Sequence, residues 1–279
     1  MSQFSKIAVV SRLPKDRHTK KCQEVIDILT EKYKLDVYLN DSFANQIDYD
    51  KSVKIERIKD FDLIVALGGD GTILWVARYS NEVPLFGINA GHLGFLTTAT
   101  LEEKEFGLNR IMKDDYILEH CMRLKVTLDG EELPSALNEA YATNKLSAHI
   151  CHLNISVNSF NLGQHLLDGL MVSTPVGSTA YALSAGGSIL EPRIKAMQIV
   201  PVNSVSRRIR PFVVPGEAKI TITVPEPFED DVVVINDGLL EGKFKKNSVL
   251  EITQAHNETV FVRFPDYGFF NRLQDKLDF

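Results

Sequence analysis

Cysteine is scarce in this chain: the three residues, Cys22, Cys121 and Cys151, stand far apart and form no CxxC pair. That spacing excludes a disulfide framework and a paired-thiolate zinc site, and leaves three small buried hydrophobes. Long apolar runs are missing too. No stretch approaches the roughly 20 residues that a membrane-crossing helix needs. The opening MSQFSKIAVVSR enters a strand-like segment without the apolar region of a signal peptide, so the expected compartment is the cytoplasm. Excess positive charge is also absent: 31 Lys and Arg face 37 Asp and Glu, a net charge of -6. A general nucleic-acid surface works by releasing phosphate counterions, and this balance argues against one.

Several catalytic signatures are lacking. There is no GxxxxGK[ST] phosphate loop, and neither glycine-rich loop of the chain fits GxGxxG, which disfavours P-loop enzymes and dehydrogenases. Val172-Ser173-Thr174-Pro175 is not a GxSxG elbow, and no histidine has a distinctive setting, so a Ser/His/Asp nucleophile is poorly supported.

What is present is organised around residues 67–72, LGGDGT. An apolar run at 62–66 precedes it and a helical run at 73–77 follows. A buried strand that ends in glycines and opens a helix directs N–H groups and the positive helix end at one point, which suits a phosphate. Asp70 does not suit one. Its charge repels the ligand, so it reads as a base or a metal partner, and the plainer account makes it an N-cap. Around this turn, residues 6–11, 35–39, 62–66 and 83–88 read as strands and 16–33 and 101–113 as helical, an alternation that predicts a parallel sheet with ligands at the carboxyl ends of its strands. Residues 86–96, FGINAGHLGFL, form a second glycine-bearing turn. If their strands are neighbours, the two turns make two walls of one crevice. His92 in this loop is left unassigned.

The pattern changes near His120. With 279 residues and 44% hydrophobic content, the chain has room for two ordinary domains. Residues 118–128, 136–144, 149–157, 218–224, 231–236, 249–255 and 259–264 all read as strands, which predicts a second, mostly antiparallel domain. The expected boundaries are 1–119 for the α/β domain and 120–264 for the strand-rich one. The tail, with Phe269, Phe270, Leu273 and Leu277 on one helical stripe, is expected to pack as structure. Residues 168–188, DGLMVSTPVGSTAYALSAGGS, interrupt the strands with hydroxyls and small residues that turn at Pro175 and Gly177 and enter a short helix near Ser178. Such a segment suits a nucleotide's ribose and phosphates, or else is a capped helix with a serine-rich loop. Asn138 and Glu139 place an amide beside a carboxylate, a pair able to grip two ribose hydroxyls.

Taken in order, LGGDGT, FGINAGHLGFL, Asn138-Glu139 and DGLMVSTPVGSTAYALSAGGSIL resemble the NAD kinases of bacteria, and the resemblance extends through residues 262–277. LGGDGT alone is shared with diacylglycerol and sphingosine kinases and, more loosely, phosphofructokinases. The resemblance implies an α/β domain with a parallel sheet, a strand-rich, β-sandwich-like C-terminal domain, and a C-terminal segment, 265–279, that returns to the first. It implies Mg²⁺- or other divalent-cation-dependent phosphoryl transfer from ATP, or polyphosphate, to the adenosine 2'-hydroxyl of NAD. Asp70 matches the catalytic base, and Gly68, Gly69, Gly71 and Thr72 match the phosphate loop. Phe95 matches an aromatic of the adenine pocket. Asn138 and Glu139 match the pair on a ribose and the diphosphate region, and Thr179, Ala180, Tyr181 and Ser184 match further NAD contacts. Asp168 matches a carboxylate that reaches NAD from a neighbouring subunit, which implies a homo-oligomer, dimer or tetramer, with no nucleic-acid or membrane partner. No metal ligand is assigned.

Three positions depart from the family pattern. Ser204-Val205 replace a frequent Pro-His, Leu166 and Leu167 occupy the place of an arginine, and Leu239 that of a glutamine. Two rival readings fit the motifs less well. A kinase acting on a lipid or sugar hydroxyl is opposed by the 138–139 and 168–188 motifs and by the lack of a membrane-binding amphipathic helix or basic patch. A sensor that binds dinucleotide without turnover is disfavoured by Asp70 beside the phosphate loop.

Overall fold

Leu63–Leu67 is buried at every position, the near-continuous apolar pattern of a strand covered on both faces. The computed structural model describes residues 4–12, 19–91, 94–146, 149–205, 209–226 and 231–277. His92, the loop histidine, lies outside them. In chain order come β1 (Lys6–Ser11), α1 (Thr19–Asp27), β2 (Asp36–Asn40), α2 (Asp41–Ile47), β3 (Ser52–Val53), β4 (Leu63–Leu67), α3 (Asp70–Ser80), β5 (Leu85–Asn89), β6 (Ala99–Thr100), α4 (Lys104–Met112) and β7 (Ile117–Cys121). There follow β8 (Leu124–Leu128), β9 (Glu131–Ala136), β10 (Glu139–Asn144), β11 (Cys151–Val157), β12 (Phe160–Leu167), β13 (Gly169–Ser173), α5 (Tyr181–Ser184), β14 (Ala196–Val202), β15 (Phe212–Pro215), β16 (Ile220–Thr223), β17 (Val232–Asn236), β18 (Leu239–Lys243) and β19 (Val249–Gln254). The last elements are β20 (Thr259–Arg263) and α6 (Phe269–Leu277).

The chain divides into two compact units, Met1–His120 with Thr259–Phe279, and Cys121–Glu258. In the first, the described residues form an eight-stranded sheet of order β3-β2-β1-β4-β5-β20-β7, with β6 beside β5. Its pairs β1–β2, β1–β4, β4–β5 and β5–β20 are parallel. Cys22, Val25 and Ile26 of α1 and Leu108 and Ile111 of α4 share one core with Ile7, Val9, Val65 and Phe86. Alternate residues such as Ala8, Val10, Ile64 and Ala66 are equally buried.

The second unit contains two six-stranded sheets, β15-β14-β13-β10-β17-β18 and β12-β11-β16-β19-β8-β9. Inward residues of both, among them Ala140, Leu170, Val234, Val126, Ile155 and Ile252, form one core, which makes the unit a β-sandwich.

Two runs that read as single strands are broken. Residues 118–128 divide into β7 in the first unit's sheet and β8 in the second's. At the break, buried Arg123 donates to the hydroxyl and carbonyl of Ser135 at 3.0 and 2.8 Å. Residues 136–144 are interrupted at Leu137 and Asn138, whose backbone N–H groups turn to the carboxylate of Asp237. The tail is helical, but its stripe is not the expected one: Phe269 and Arg272 are buried while Phe270 is 70% exposed.

Candidate active site

The carboxyl end of β4 runs into Gly68 and Gly69 and opens α3. Gly69 is the N-cap residue, and no side chain caps the helix. The N–H groups of Asp70 and Gly71 fall in the first turn, where a helix has no carbonyl to offer them. A Cβ on Gly68 would sit 2.4 Å from Thr72 Oγ1, so glycine is what lets Thr72 fold back over the strand end.

Asp70 is not an N-cap. Its Oδ2 accepts the N–H of Phe95 at 3.0 Å and its Oδ1 accepts that of Leu96 at 3.1 Å. These donors belong to the second glycine loop. β4 and β5 are parallel neighbours, with Leu67 opposite Ile88, so the two loops leave adjacent strand ends and meet at this carboxylate. A Cβ on Gly94 would lie 1.9 Å from Asp70 Oδ1, and only glycine allows that approach. The loop is braced by Thr97, whose Oγ1 accepts the N–H of Gly94 at 2.8 Å. Each Asp70 oxygen keeps a second lone pair for another partner.

In the second unit, Asn138 and Glu139 stand at the start of β10 and are 7% and 8% exposed. Asp237, in the tight turn between β17 and β18, accepts the N–H groups of Leu137, Asn138 and Glu139 at 2.8, 2.7 and 3.3 Å. The backbone here is further fixed by Thr174, which donates its hydroxyl to Leu137 O at 2.6 Å and its N–H to Asn138 O at 2.9 Å. A Cβ on Gly177 would fall 2.1 Å from Asn138 O. Asn138 Oδ1, Glu139 Oε2 and Asn236 Oδ1 are buried with no hydrogen-bond partner among the described residues. Burial, and then the charge of Asp237, raises the Glu139 carboxyl to about 7. Asp237 is also raised by burial, against the opposing pull of its three N–H donors.

The 168–188 segment begins as strand β13, turns at Pro175, makes one turn of 3₁₀ helix at Gly177–Thr179 and enters α5. Thr179 and Ala180 are half-buried, while Tyr181 and Ser184 are exposed. Tyr181 meets Tyr141 edge-on at 5.7 Å. Asp168 lies elsewhere. Its Oδ2 accepts from Asn203 Nδ2 at 2.8 Å. Because Glu139 pairs with Ser173 and Thr143 with Gly169, Asp168 sits five residue steps along the ladder from Glu139, about 17 Å.

The structure therefore groups the assigned residues by unit: Gly68, Gly69, Asp70, Gly71, Thr72 and Phe95 in the first, and Asn138 and Glu139 with the Thr174–Gly177 turn in the second. Three residues escaped the sequence reading. Gly94 and Asp237 were visible only as glycine-loop and Asp-Gly turn residues. Arg263, a charge inside the apolar run 260–264, was a signal available to be noticed. Among the described residues no three His, Cys, Asp or Glu side chains converge as metal ligands.

A carboxylate held by backbone N–H groups at a glycine-lined helix mouth, on a parallel α/β unit followed by a β-sandwich, suits the class of phosphotransferases with an alcohol group as acceptor. The comparisons with known proteins narrow this class. The model of the ATP-NAD kinase N-terminal domain matches residues 5–116 and that of the ATP-NAD kinase C-terminal domain residues 137–264. An NAD kinase of Methanosarcina acetivorans is 34% identical over 259 residues, covering 91% of this chain and 93% of its own. One of Thermoanaerobacter pseudethanolicus is 33% identical over 284 residues, covering 98% and 99%. Among solved structures, an NAD kinase from Archaeoglobus fulgidus in complex with ATP matches with a TM-score of 0.76 at 25% identity, over 98% of this chain and 97% of that one. Yeast NADH kinase complexed with NADH shares the fold, with a TM-score of 0.88 at 23% identity over 98% and 87%. The chain belongs to the NAD kinase family and is an enzyme that phosphorylates NAD.

Proposed function

We propose that the chain transfers the γ-phosphoryl group of ATP to the adenosine 2'-hydroxyl of NAD, with Asp70 as general base. The observation that carries this reading is the setting of Asp70, a carboxylate aimed by two backbone N–H groups within the first turn of α3. As the 2'-oxygen bonds to the γ-phosphorus, the bond from that phosphorus to the β–γ bridging oxygen breaks, ADP leaves and the hydroxyl proton passes to Asp70. The N–H groups of Asp70 and Gly71 face the donor phosphates, and Gly68, Gly69 and Thr72 shape the loop that admits them.

A divalent cation fits this donor set. Mg²⁺ keeps most of its waters and is held by substrate phosphates with one or two carboxylates, without a dedicated protein cage, and Asp70 is the carboxylate that this loop provides. When bound, it would neutralise charge on the transferring phosphoryl group.

Asn138 Oδ1 and Glu139 Oε2 are assigned to the hydroxyls of a ribose of NAD, which would satisfy two buried acceptors that are otherwise costly to leave alone. Phe95 is assigned to the adenine pocket, and Thr179, Ala180, Tyr181 and Ser184 to further dinucleotide contacts. Asp168, at the far end of β13 from Glu139, is assigned to NAD held by a second copy in a homo-oligomer, dimer or tetramer. The proposed working compartment is the cytoplasm; among the described residues no helix is long and apolar enough to cross a membrane.

The decisive assay is NADP formation from NAD, ATP and Mg²⁺, with polyphosphate as the alternative donor. Asp70→Asn is expected to lower turnover by about 10²- to 10⁴-fold while NAD binding is retained. An Asn variant as fast as the parent overturns the base assignment.

A further inference from the structure

The loop that grips Asp70 is itself gripped from behind. Arg263, the last residue of β20, is 2% exposed. Its strand runs parallel to β5 with Phe261 opposite Leu85, so Arg263 is level with Gly87, two residues before the end of β5 from which the second glycine loop leaves. Nη1 donates to the carbonyls of Leu96 at 2.9 Å and Thr97 at 3.2 Å and to Thr98 Oγ1 at 3.0 Å. Nη2 makes a longer contact, 3.4 Å, to the carbonyl of Phe95. Nε donates to Glu119 Oε2 at 2.8 Å, and the guanidinium lies 4.6 Å from the Phe261 ring centroid. Glu119 Oε1 also lies 3.5 Å from Arg272 Nη2 of α6.

One peptide group links this cation to Asp70. The carbonyl of Phe95 and the N–H of Leu96 belong to the same planar trans unit and point in opposite directions. The carbonyl faces Arg263 and the N–H donates to Asp70 Oδ1. A peptide between a cation and an anion is polarised by both, and each hydrogen bond strengthens the other. The planar fork also holds several carbonyls at once, which a lysine ammonium cannot do with the same geometry.

We propose that Arg263 is a positioning residue for the phosphoryl transfer: through the backbone of residues 95–97 it fixes the N–H groups that orient the Asp70 carboxylate. This rests on the reading of Asp70 as the base. A buried cation that only held the sheet together would have no need of four acceptors on this one loop.

The test compares Arg263→Lys, Asp70→Asn and the double variant for NADP formation, with Val25→Ala of the α1 core as a control for general destabilisation. Arg263→Lys is expected to lower kcat by about 10- to 100-fold, the scale of a small misplacement of a reacting group, with KM for NAD and ATP changed less than about twofold. Val25→Ala is expected to lower the melting temperature and leave kcat of the folded enzyme unchanged. The double variant should be no slower than Asp70→Asn, because a residue that acts through Asp70 has nothing left to position. Additive losses in the double variant, or an Arg263→Lys kcat equal to wild type, overturn the proposal. If Arg263→Lys is slow while Asp70→Asn is fast, the Asp70 reading fails and the orienting role falls with it. Should Arg263→Lys not fold, Thr98→Val removes one of the guanidinium's acceptors, and the same comparison is made with it.

Discussion

Asp70 and Gly94 come together from positions 24 residues apart. LGGDGT marks Asp70 as the anomalous carboxylate of a phosphate turn from sequence alone. The reason Gly94 is a glycine is invisible there, because it depends on where Asp70 Oδ1 lies once β4 and β5 are side by side. Gly94→Ala must displace either the loop or the carboxylate, since its Cβ would fall 1.9 Å from that oxygen. The expected result is a kcat loss of about 10- to 100-fold with a melting temperature close to that of the parent, read from NADP formation and a thermal melt. An unchanged kcat would mean that the loop is not tuned to Asp70. Arg263 belongs to the same scale. Its charge in an apolar run was legible, but its acceptors on residues 95–98 were not.

At the scale of elements, the hairpin of β17 and β18 carries Asp237 to the start of β10, where its charge acts on the buried Glu139 carboxyl. Burial and the Asp237 charge raise the Glu139 carboxyl from 4.5 to about 7. A raised folded-state pKa gives a contribution to stability that is fully present below the unfolded value, about 4.5, and lost as the pH rises through about 7. Glu139→Gln should therefore raise the melting temperature at pH 8 by a few degrees and flatten its decline between pH 5 and 8, while weakening NAD binding through the changed ribose contact. A pH profile of melting identical to the parent's would show that Glu139 is not the group responsible. The runs 136–144 and 231–236 were readable as strands, yet the break at 137–138 was not, because its cause is a side chain about a hundred residues downstream. The α6 stripe failed for a related reason. Periodicity groups Phe270 with Phe269, but the buried Glu119 draws Arg272 inward instead.

At the scale of the whole molecule, the chain leaves the first unit after His120 and returns at Thr259, and β20 takes its place in the sheet between β5 and β7. Residues 121–258, with their own sandwich core, are expected to fold alone and melt cooperatively. A chain ending at Glu258 should lose the first unit's cooperative melt, because β5 and β7 then lack the strand between them. Circular dichroism melts of the two truncations check this, and an intact first unit without β20 would contradict it. The sequence by itself determined the local chemistry: which stretches alternate as parallel α/β elements, which turn carries a carboxylate among glycines, and which family the ordered motifs resemble. Those features depend on neighbours a few residues apart. Only the tertiary structure decided that β20 pairs with β5, that Arg263 reaches the loop around Asp70, and that Asp237 seats the backbone of Asn138. Each of these joins residues far apart in the chain, through strand pairings that hydrophobic pattern alone does not specify.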